Sequence, residues 1–265
     1  MYAKEDITKQ LDKMNAGRAR IIHMHSSLKA IGEIQGGAEA LLDILTEYFA
    51  QKNCIFTVPA HTWAFAKDTS RYTLDLINPD SCVGTLSRLA LLRPDGIRSM
   101  HPTHSVVAFG KGAKELTDGE ENCITTTPKE GFYGKLLQSD GYVLLAGVGH
   151  NRNTFIHHIE EISEVPNRIS KNKTLKTVRL KDGTVLEKFT HGVYAEGIGP
   201  FWERFPKFEP AFRHFGAITD GFLGDAPVQL CSCRKMTEAF RTVFERSGKA
   251  ELLGEDTPFK KEWYI

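Results

Sequence analysis

The stretch from Tyr142 to Glu164 limits the possible folds more than any other part of the chain. An apolar run, Tyr142 to Ala146, meets Gly147-Val148-Gly149 and then a segment carrying Asn151, Asn153 and Thr154. The run predicts a buried strand and the glycines break it. Asn and Thr are good helix starters because their side chains accept from the unpaired N–H groups of a first turn. Pro166 predicts the helix end, since the residue before a proline is driven out of the helical region. Along this helix Phe155, Ile159 and Ile162 share one face, while His157, Glu160, Glu161 and Glu164 gather on the other. A strand would thus deliver an imidazole and three carboxylates at its C-terminal end, the edge where open α/β sheets bind ligands. A polar helix face can also be a solvated one. A catalytic role is favoured by the Gly-, Asn- and Thr-rich start and by carboxylates placed three and four residues from His157, where they could orient the ring.

The N-terminal part repeats the pattern. Ile21 to Met24 reads as a buried strand running into His25-Ser26-Ser27-Leu28, with Gly32, Ile34, Gly36 and Gly37 following. Ala38, Leu41, Leu42, Leu45, Tyr48 and Phe49 then mark a helix with one apolar face, and Cys54 to Val58 is the next strand. Strand, glycine-rich loop, helix and strand make a βαβ unit with a parallel pair. The loop lacks the Gly-Lys-Ser/Thr of a P-loop and the GxGxxG spacing of a dinucleotide fingerprint. Its paired hydroxyls and Gly-Gly opening onto a helix N-terminus nevertheless suit an anion, because free N–H groups and the helix dipole favour negative charge there.

Beyond these units, residues 60–81 are aromatic and loop-like, and Gly84 to Leu92 reads as a helix. Arg98 to Ser105 is dense in His, Ser and Arg before a strand at Val106 to Phe109. Residues 172–190 alternate around Asp182-Gly183, which predicts an antiparallel hairpin insertion. Phe201 to Phe215 is expected to fold over the pocket. Arg213–Thr219 and Ala226–Leu230 are expected as edge strands, and Met236–Ser247 as a final helix. With no repeat, low-complexity tract or linker in view, residues 1–265 read as one domain. A formal net charge of +1 gives no global signal for nucleic acid or a membrane surface. No apolar run is long enough to span a bilayer. Five cysteines without a CxxC pair, and no recognisable signal peptide, suit a reducing cytoplasm.

Three motifs in order resemble the aminoglycoside 3-N-acetyltransferase (antibiotic N-acetyltransferase) family: His25-Ser26-Ser27-Leu28 with Gly32, Gly36 and Gly37; Arg98-Ser99-Met100-His101-Pro102 with Ser105 and Gly110; and Gly147-Val148-Gly149 with Asn153, Thr154, His157 and Glu160. The likeness covers roughly residues 20–165. It implies a three-layer α/β/α sandwich with a largely parallel central sheet, and transfer of an acetyl group from acetyl-CoA to an amine. By the same resemblance His157 is the catalytic histidine and Glu160 its carboxylate. His25, Ser26, Ser27, Leu28, Ile34, Gly36, Gly37 and Ser105 hold coenzyme A. The acidic helix face adds Glu161 and Glu164, and the position of Asn151 near the mouth adds that residue, as those expected to face the acceptor. Many members carry Asp where this chain has Asn151, so the family supports the reaction better than it supports an aminoglycoside acceptor. Monomer and homodimer are both open.

The chemistry suits these residues. An amine must lose a proton to attack a thioester, which calls for a base poised near neutrality, and histidine is that side chain. An acidic wall of Glu160, Glu161 and Glu164 beside it predicts a cationic acceptor of the polycationic, aminoglycoside-like kind. Two other readings compete. One is a coenzyme A-binding regulatory protein on a transferase scaffold. The other is a metal-dependent hydrolase using His150, His157 and Glu161, which is weakened because His157 and His158 diverge on a helix and Cys231-Ser232-Cys233 is a poor zinc signature. No metal is expected.

Overall fold

The computed structural model describes residues 1–265. Its strands are β1 (Ile21–Ser26), β2 (Ile55–Pro59), β3 (Leu74–Asp75), β4 (Ile97–Arg98), β5 (Val106–Phe109), β6 (Tyr142–Ala146), β7 (Ile169–Arg179), β8 (Val185–Val193), β9 (Ile218–Leu223) and β10 (Ala226–Ser232). Its α-helices are α1 (Lys4–Lys13), α2 (Leu28–Ile31), α3 (Gly37–Gln51), α4 (Thr85–Leu92), α5 (Ala113–Thr117), α6 (Phe132–Gln138), α7 (Phe155–Ile162), α8 (Glu209–His214) and α9 (Cys233–Arg246).

Seven strands form the main sheet in the order β4-β5-β2-β1-β6-β10-β9. β1 pairs in parallel with both β2 and β6, and the flanking pairs are antiparallel. Only β5 and β10 are reversed, so five of the seven strands run the same way. Alternation along each strand sends side chains to opposite faces. Ile21, Val143, Leu145 and Cys231 enter a core with α6, α7 and α9, whereas Ile22, Leu144, Ala146 and Leu230 enter a second core with α1 and α3. A sheet apolar on both faces requires a helix layer on each, which is the α/β/α sandwich.

The βαβ unit forms as expected, with Leu41, Leu42, Leu45, Tyr48 and Phe49 of α3 buried. The hairpin is longer than its alternation suggested. β7 and β8 also take β3 as a parallel partner, making a separate three-stranded sheet. The two late edge strands need correction. Arg213 and His214 end helix α8, whose run of Ala211 and Phe212 packs into the core. The strand at Ala226 lies inside the sheet between β6 and β9, so β9 alone is the edge on that side. Short apolar runs do not tell inner from outer strands; the pairing with β6 decided it. No helix is long and apolar enough to cross a membrane.

Candidate active site

The three parallel central strands all end at one cleft of about 950 Å³. After β1 come Ser26, Ser27, Leu28 and Lys29. After β2 come His61, Trp63 and Lys67. After β6 come Asn151, Asn153, Thr154 and His157. This convergence is what parallel strands impose, since their C-terminal ends lie at one edge. The small sheet adds Thr174, Lys176, Thr190 and Gly192 to the lining, and the 3₁₀ helix Phe201–Phe208 adds Trp202 and Phe205.

Helix α7 places the central group. Asn153 Oδ1 accepts from the Phe155 N–H at 3.2 Å and so closes the helix start. The helix ends where Glu164 takes a left-handed conformation (φ 52°) and the Val165 N–H donates to the Glu160 carbonyl, with Pro166 just beyond. His157 lines the cleft with its side chain 14% exposed. Its Nδ1 lies 3.3 Å from Glu160 Oε2. A carboxylate only accepts, so in the neutral ring the proton is on Nδ1 and Nε2 is left with its lone pair. Rings of Phe201 and Phe205 flank the imidazole, with centroids at 5.6 and 4.8 Å. Glu160 is itself held: Arg168 Nε donates to its Oε1 at 2.5 Å, and both terminal nitrogens of Arg168 donate to Glu251, at 2.9 and 2.6 Å. Glu160 and Arg168 are both buried.

The acidic wall read from the sequence is not a wall of this cleft. Not one of its 35 lining residues is an aspartate or glutamate. Glu160 turns inward because Arg168, eight residues on, offers a buried charge partner. Glu161 accepts from the Thr125 hydroxyl (2.5 Å) and from the Thr127 N–H and hydroxyl (3.3 and 3.2 Å). Glu164 lies past the helix end, exposed. Asn151 does line the cleft, donating to the rim residue Glu203 at 2.8 Å, and Glu203 also pairs with Arg152 at 3.4 Å.

Of the residues expected to hold coenzyme A, the cleft gathers His25, Ser26, Ser27 and Leu28. Ile34, Gly36 and Gly37 are absent from its lining, because α2 intervenes between the Ser26 end of β1 and the start of α3. Ser105 is wholly buried; it donates to the Ala60 carbonyl at 2.8 Å and accepts from Arg98 at 3.1 Å, tying two loops together beneath the cleft. A different helix start lines the cleft instead, Gly84 to Ser87 at α4. Gly84 has φ +113° with open space where a Cβ would stand, so backbone is exposed there to anything bound. A glycine preceding the Thr85–Leu92 apolar periodicity was the available signal in the sequence.

The cleft floor is unusually rich in imidazoles. His25, His61 and His104 line it, and His61 Nε2 lies 3.3 Å from the Tyr133 hydroxyl. Burial holds His61 and His104 well below the usual histidine range and lowers His25 to about 4. These rings are therefore neutral at pH 7. His101 stands behind them, its Nδ1 accepting the Thr103 and His104 N–H groups at 3.1 and 2.9 Å, which places its proton on Nε2 toward the Thr125 carbonyl. His150 is buried against Phe212 outside the cleft lining. It does not join His157 and Glu161, and no three His, Cys, Asp or Glu side chains are grouped to hold a metal ion.

The α/β/α architecture is shared with solved aminoglycoside acetyltransferases. One, described as AAC-IIIb binary with CoASH, superposes with a TM-score of 0.79 at 18% identity, covering 93% of this chain and 97% of that one. In sequence, residues 24–245 match the model of the family described as aminoglycoside 3-N-acetyltransferase, and the chain belongs to that family. An aminoglycoside N(3)-acetyltransferase III of Salmonella sp is 27% identical over 187 residues; that match covers 63% of this chain and 63% of the relative, just under two thirds of its length. A protein of the same description from Serratia marcescens is 27% identical over 270 residues, covering 93% of this chain and 98% of the relative.

Proposed function

We propose that this chain transfers an acetyl group from acetyl-CoA to an amine, with His157 as the general base. The observation that carries the reading is the buried relay Arg168–Glu160–His157, which leaves Nε2 of the neutral ring as the free acceptor on a residue lining the cleft. Glu160 fixes the tautomer and would stabilise the imidazolium formed when Nε2 takes the amine proton. Arg168, held by Glu251, keeps the carboxylate in place.

The cleft suits coenzyme A. Ser26 and Ser27 supply hydroxyls, Lys29 a cation, and the Gly84–Ser87 turn free backbone near a helix start, a set that favours phosphate. When bound, the thioester would supply an already activated acyl group. Thr154 is the candidate to face its oxygen, because the N–H groups of Arg152, Asn153 and Phe155 are bonded to the Gly149 and His150 carbonyls and to Asn153 Oδ1. The Asn153 side chain is committed elsewhere, to the Phe155 N–H and to His150 Nδ1 at 3.1 Å.

His157→Ala should lower acetyl-CoA-dependent thiol release by about two to four orders of magnitude, the usual scale for losing a general base. Affinity for acetyl-CoA by calorimetry should change little. Ordinary turnover by the variant on the best amine found would rule out the mechanism.

A further inference from the structure

We propose that the acceptor is an amino sugar or similar amine bearing an anionic group, carboxylate or phosphate, which is received by Lys176 on the small sheet that lines the same cleft as His157. The inference rests on the acetyl-transfer reading and sharpens its substrate class.

Lys176 lines the cleft yet is only 9% exposed. Its Nζ donates to Thr174 Oγ1 at 2.6 Å, and the Thr174 hydroxyl in turn donates to the Thr190 carbonyl at 3.4 Å. An ammonium has three donors, and this is the one hydrogen bond the Lys176 ammonium makes to the protein. Buried charges are normally paired, but no carboxylate forms an ion pair with Lys176, whereas fourteen lysine or arginine pairs with carboxylates occur elsewhere in the chain. The carboxylates of its own sheet are turned away or occupied. Asp75 is bound by Arg179 at 3.0 Å, Asp182 accepts from the Thr184 N–H in the turn, and Glu187 stands opposite Thr177 and so on the other face. Directly across from Lys176 is a second cation, Lys188. Like charges facing each other across a strand pair destabilise a sheet unless something offsets them. Burial alone pulls the Lys176 pKa down, a sign of a charge with no counter-ion.

The position is also right for an acceptor. β8 carries Thr190, opposite Thr174, on to Gly192 and Val193, which line both the main cleft and a small adjoining cavity shared with His157 and Glu160. The groups suited to coenzyme A phosphates belong to the main sheet and α4. Trp63 and Trp202 line the cleft while 47% and 37% exposed, offering flat apolar faces of the kind that take a sugar ring. A polycation would meet the cations Lys29, Lys67, Arg152 and Lys176 in the main cleft, while the nearby carboxylates are already engaged, Glu203 by Asn151 and Arg152, Glu160 by Arg168 and Glu161 by Thr125 and Thr127.

The test compares glucosamine 6-phosphate, glucosamine and gentamicin, with a carboxylated amino sugar as a fourth arm, by calorimetry on the coenzyme A complex and by thiol release from acetyl-CoA. An anionic amine should bind at least about tenfold more tightly than glucosamine, the scale of one charge-assisted hydrogen bond. Lys176→Met, which keeps the aliphatic stem, should erase that difference and leave both glucosamine binding and the KM for acetyl-CoA within about twofold. The phosphate and carboxylate arms tell which anion is taken. Equal or tighter binding of gentamicin, or a Lys176→Met effect that falls on acetyl-CoA instead, overturns the inference while leaving acetyl transfer standing. Anion discrimination that depends on Lys176 without any turnover would overturn the acetyl-transfer reading instead.

Discussion

At the scale of single residues, the chemistry turns on which atom Glu160 shows to His157. The carboxylate has one oxygen for Arg168 Nε and one for His157 Nδ1. Glu160→Gln changes this more than its small size suggests. Arg168 can only donate, so it claims the amide oxygen and leaves the NH₂ group facing Nδ1. Nδ1 must then accept, the ring proton moves to Nε2, and the proposed base is blocked. The expected loss in kcat is therefore on the general-base scale, about two to four orders of magnitude. Arg168 keeps Glu251, so the fold should survive with a loss of about 1–3 kcal/mol, as for one charged hydrogen bond. Steady-state kinetics and a denaturant titration of the same variant check both halves; a kcat within about threefold of the parent refutes the tautomer argument. The pairing of His157 with Glu160 was readable from residues 157–164, but the burial of Glu160 was not. The His-x-x-Glu spacing and the family resemblance paired Glu160 with His157, but the helix face also made Glu160 one of three acids in a wall toward the acceptor. Its burial depends on Arg168 beyond the helix end and on Glu251, which is remote in sequence.

At the scale of elements, the site depends on how closely the loop after β6 crosses the loop after β1. The Ser27 N–H donates to the Ala146 carbonyl and the Gly147 N–H to the Pro227 carbonyl, both at 2.9 Å. Gly147 has φ +66°, and a Cβ there would lie 2.4 Å from the Ala30 Cβ. Gly147→Ala should cost about 1–2 kcal/mol for the left-handed backbone and a further ~1–3 for overpacking. The displaced element would be α2, which follows directly from the cleft residues Ser26 and Ser27. The KM for acetyl-CoA should therefore rise along with the loss of stability. Gly149 is the control. Its backbone is extended (φ −99°, ψ −175°), and a Cβ would meet only Asn151 Oδ1 at 3.4 Å, so Gly149→Ala should melt within a degree or two of the parent. Equal melting temperatures for the two variants would contradict this account of the crossing. The elements themselves were largely readable, because β6, α7, the βαβ unit and the hairpin are carried by local periodicity and turn residues. The far walls of the cleft were less so. Lys176, Thr190 and Trp202 reach it only through packing of the small sheet and the 3₁₀ helix Phe201–Phe208, and no local spacing records that packing.

At the scale of the whole molecule, buried histidines make stability depend on pH in a range where carboxylates contribute little. His23 and His61 are held well below 6.5, and His25 and His150 near 4, with burial as the leading cause in each case. Nε2 of His23 and His25 has no hydrogen-bond partner, so a proton arriving there would be both buried and unpaired; at His150 the added proton would fall on Nδ1, against the Asn153 NH₂ that donates to it. The native state keeps these rings neutral, while the unfolded chain protonates them near 6.5. Between 6.5 and about 4 the unfolded state binds more protons, so stability falls as pH falls and is flat with respect to these groups above about 7. Each ring contributes a slope of up to about 1.4 kcal/mol per pH unit. Four acting together would remove roughly 5 kcal/mol one unit below 6.5, a large part of the ~5–15 kcal/mol typical of a folded domain. The lowered aspartates, such as Asp75, Asp80 and Asp220, act later, since their stabilisation is lost only as pH falls from about 3.8. Urea titrations at pH 8, 7, 6 and 5.5 should therefore show a plateau and then a steep decline. His150 gives the decisive variant because it lies outside the cleft lining. His150→Gln removes one titrating ring and retains a polar group for Asn153, so the acid slope should drop by close to one proton while the neutral plateau shifts by less. An unchanged slope, or a parent protein equally stable at pH 8 and 5.5, would mean that these rings are hydrated and protonated within the native fold.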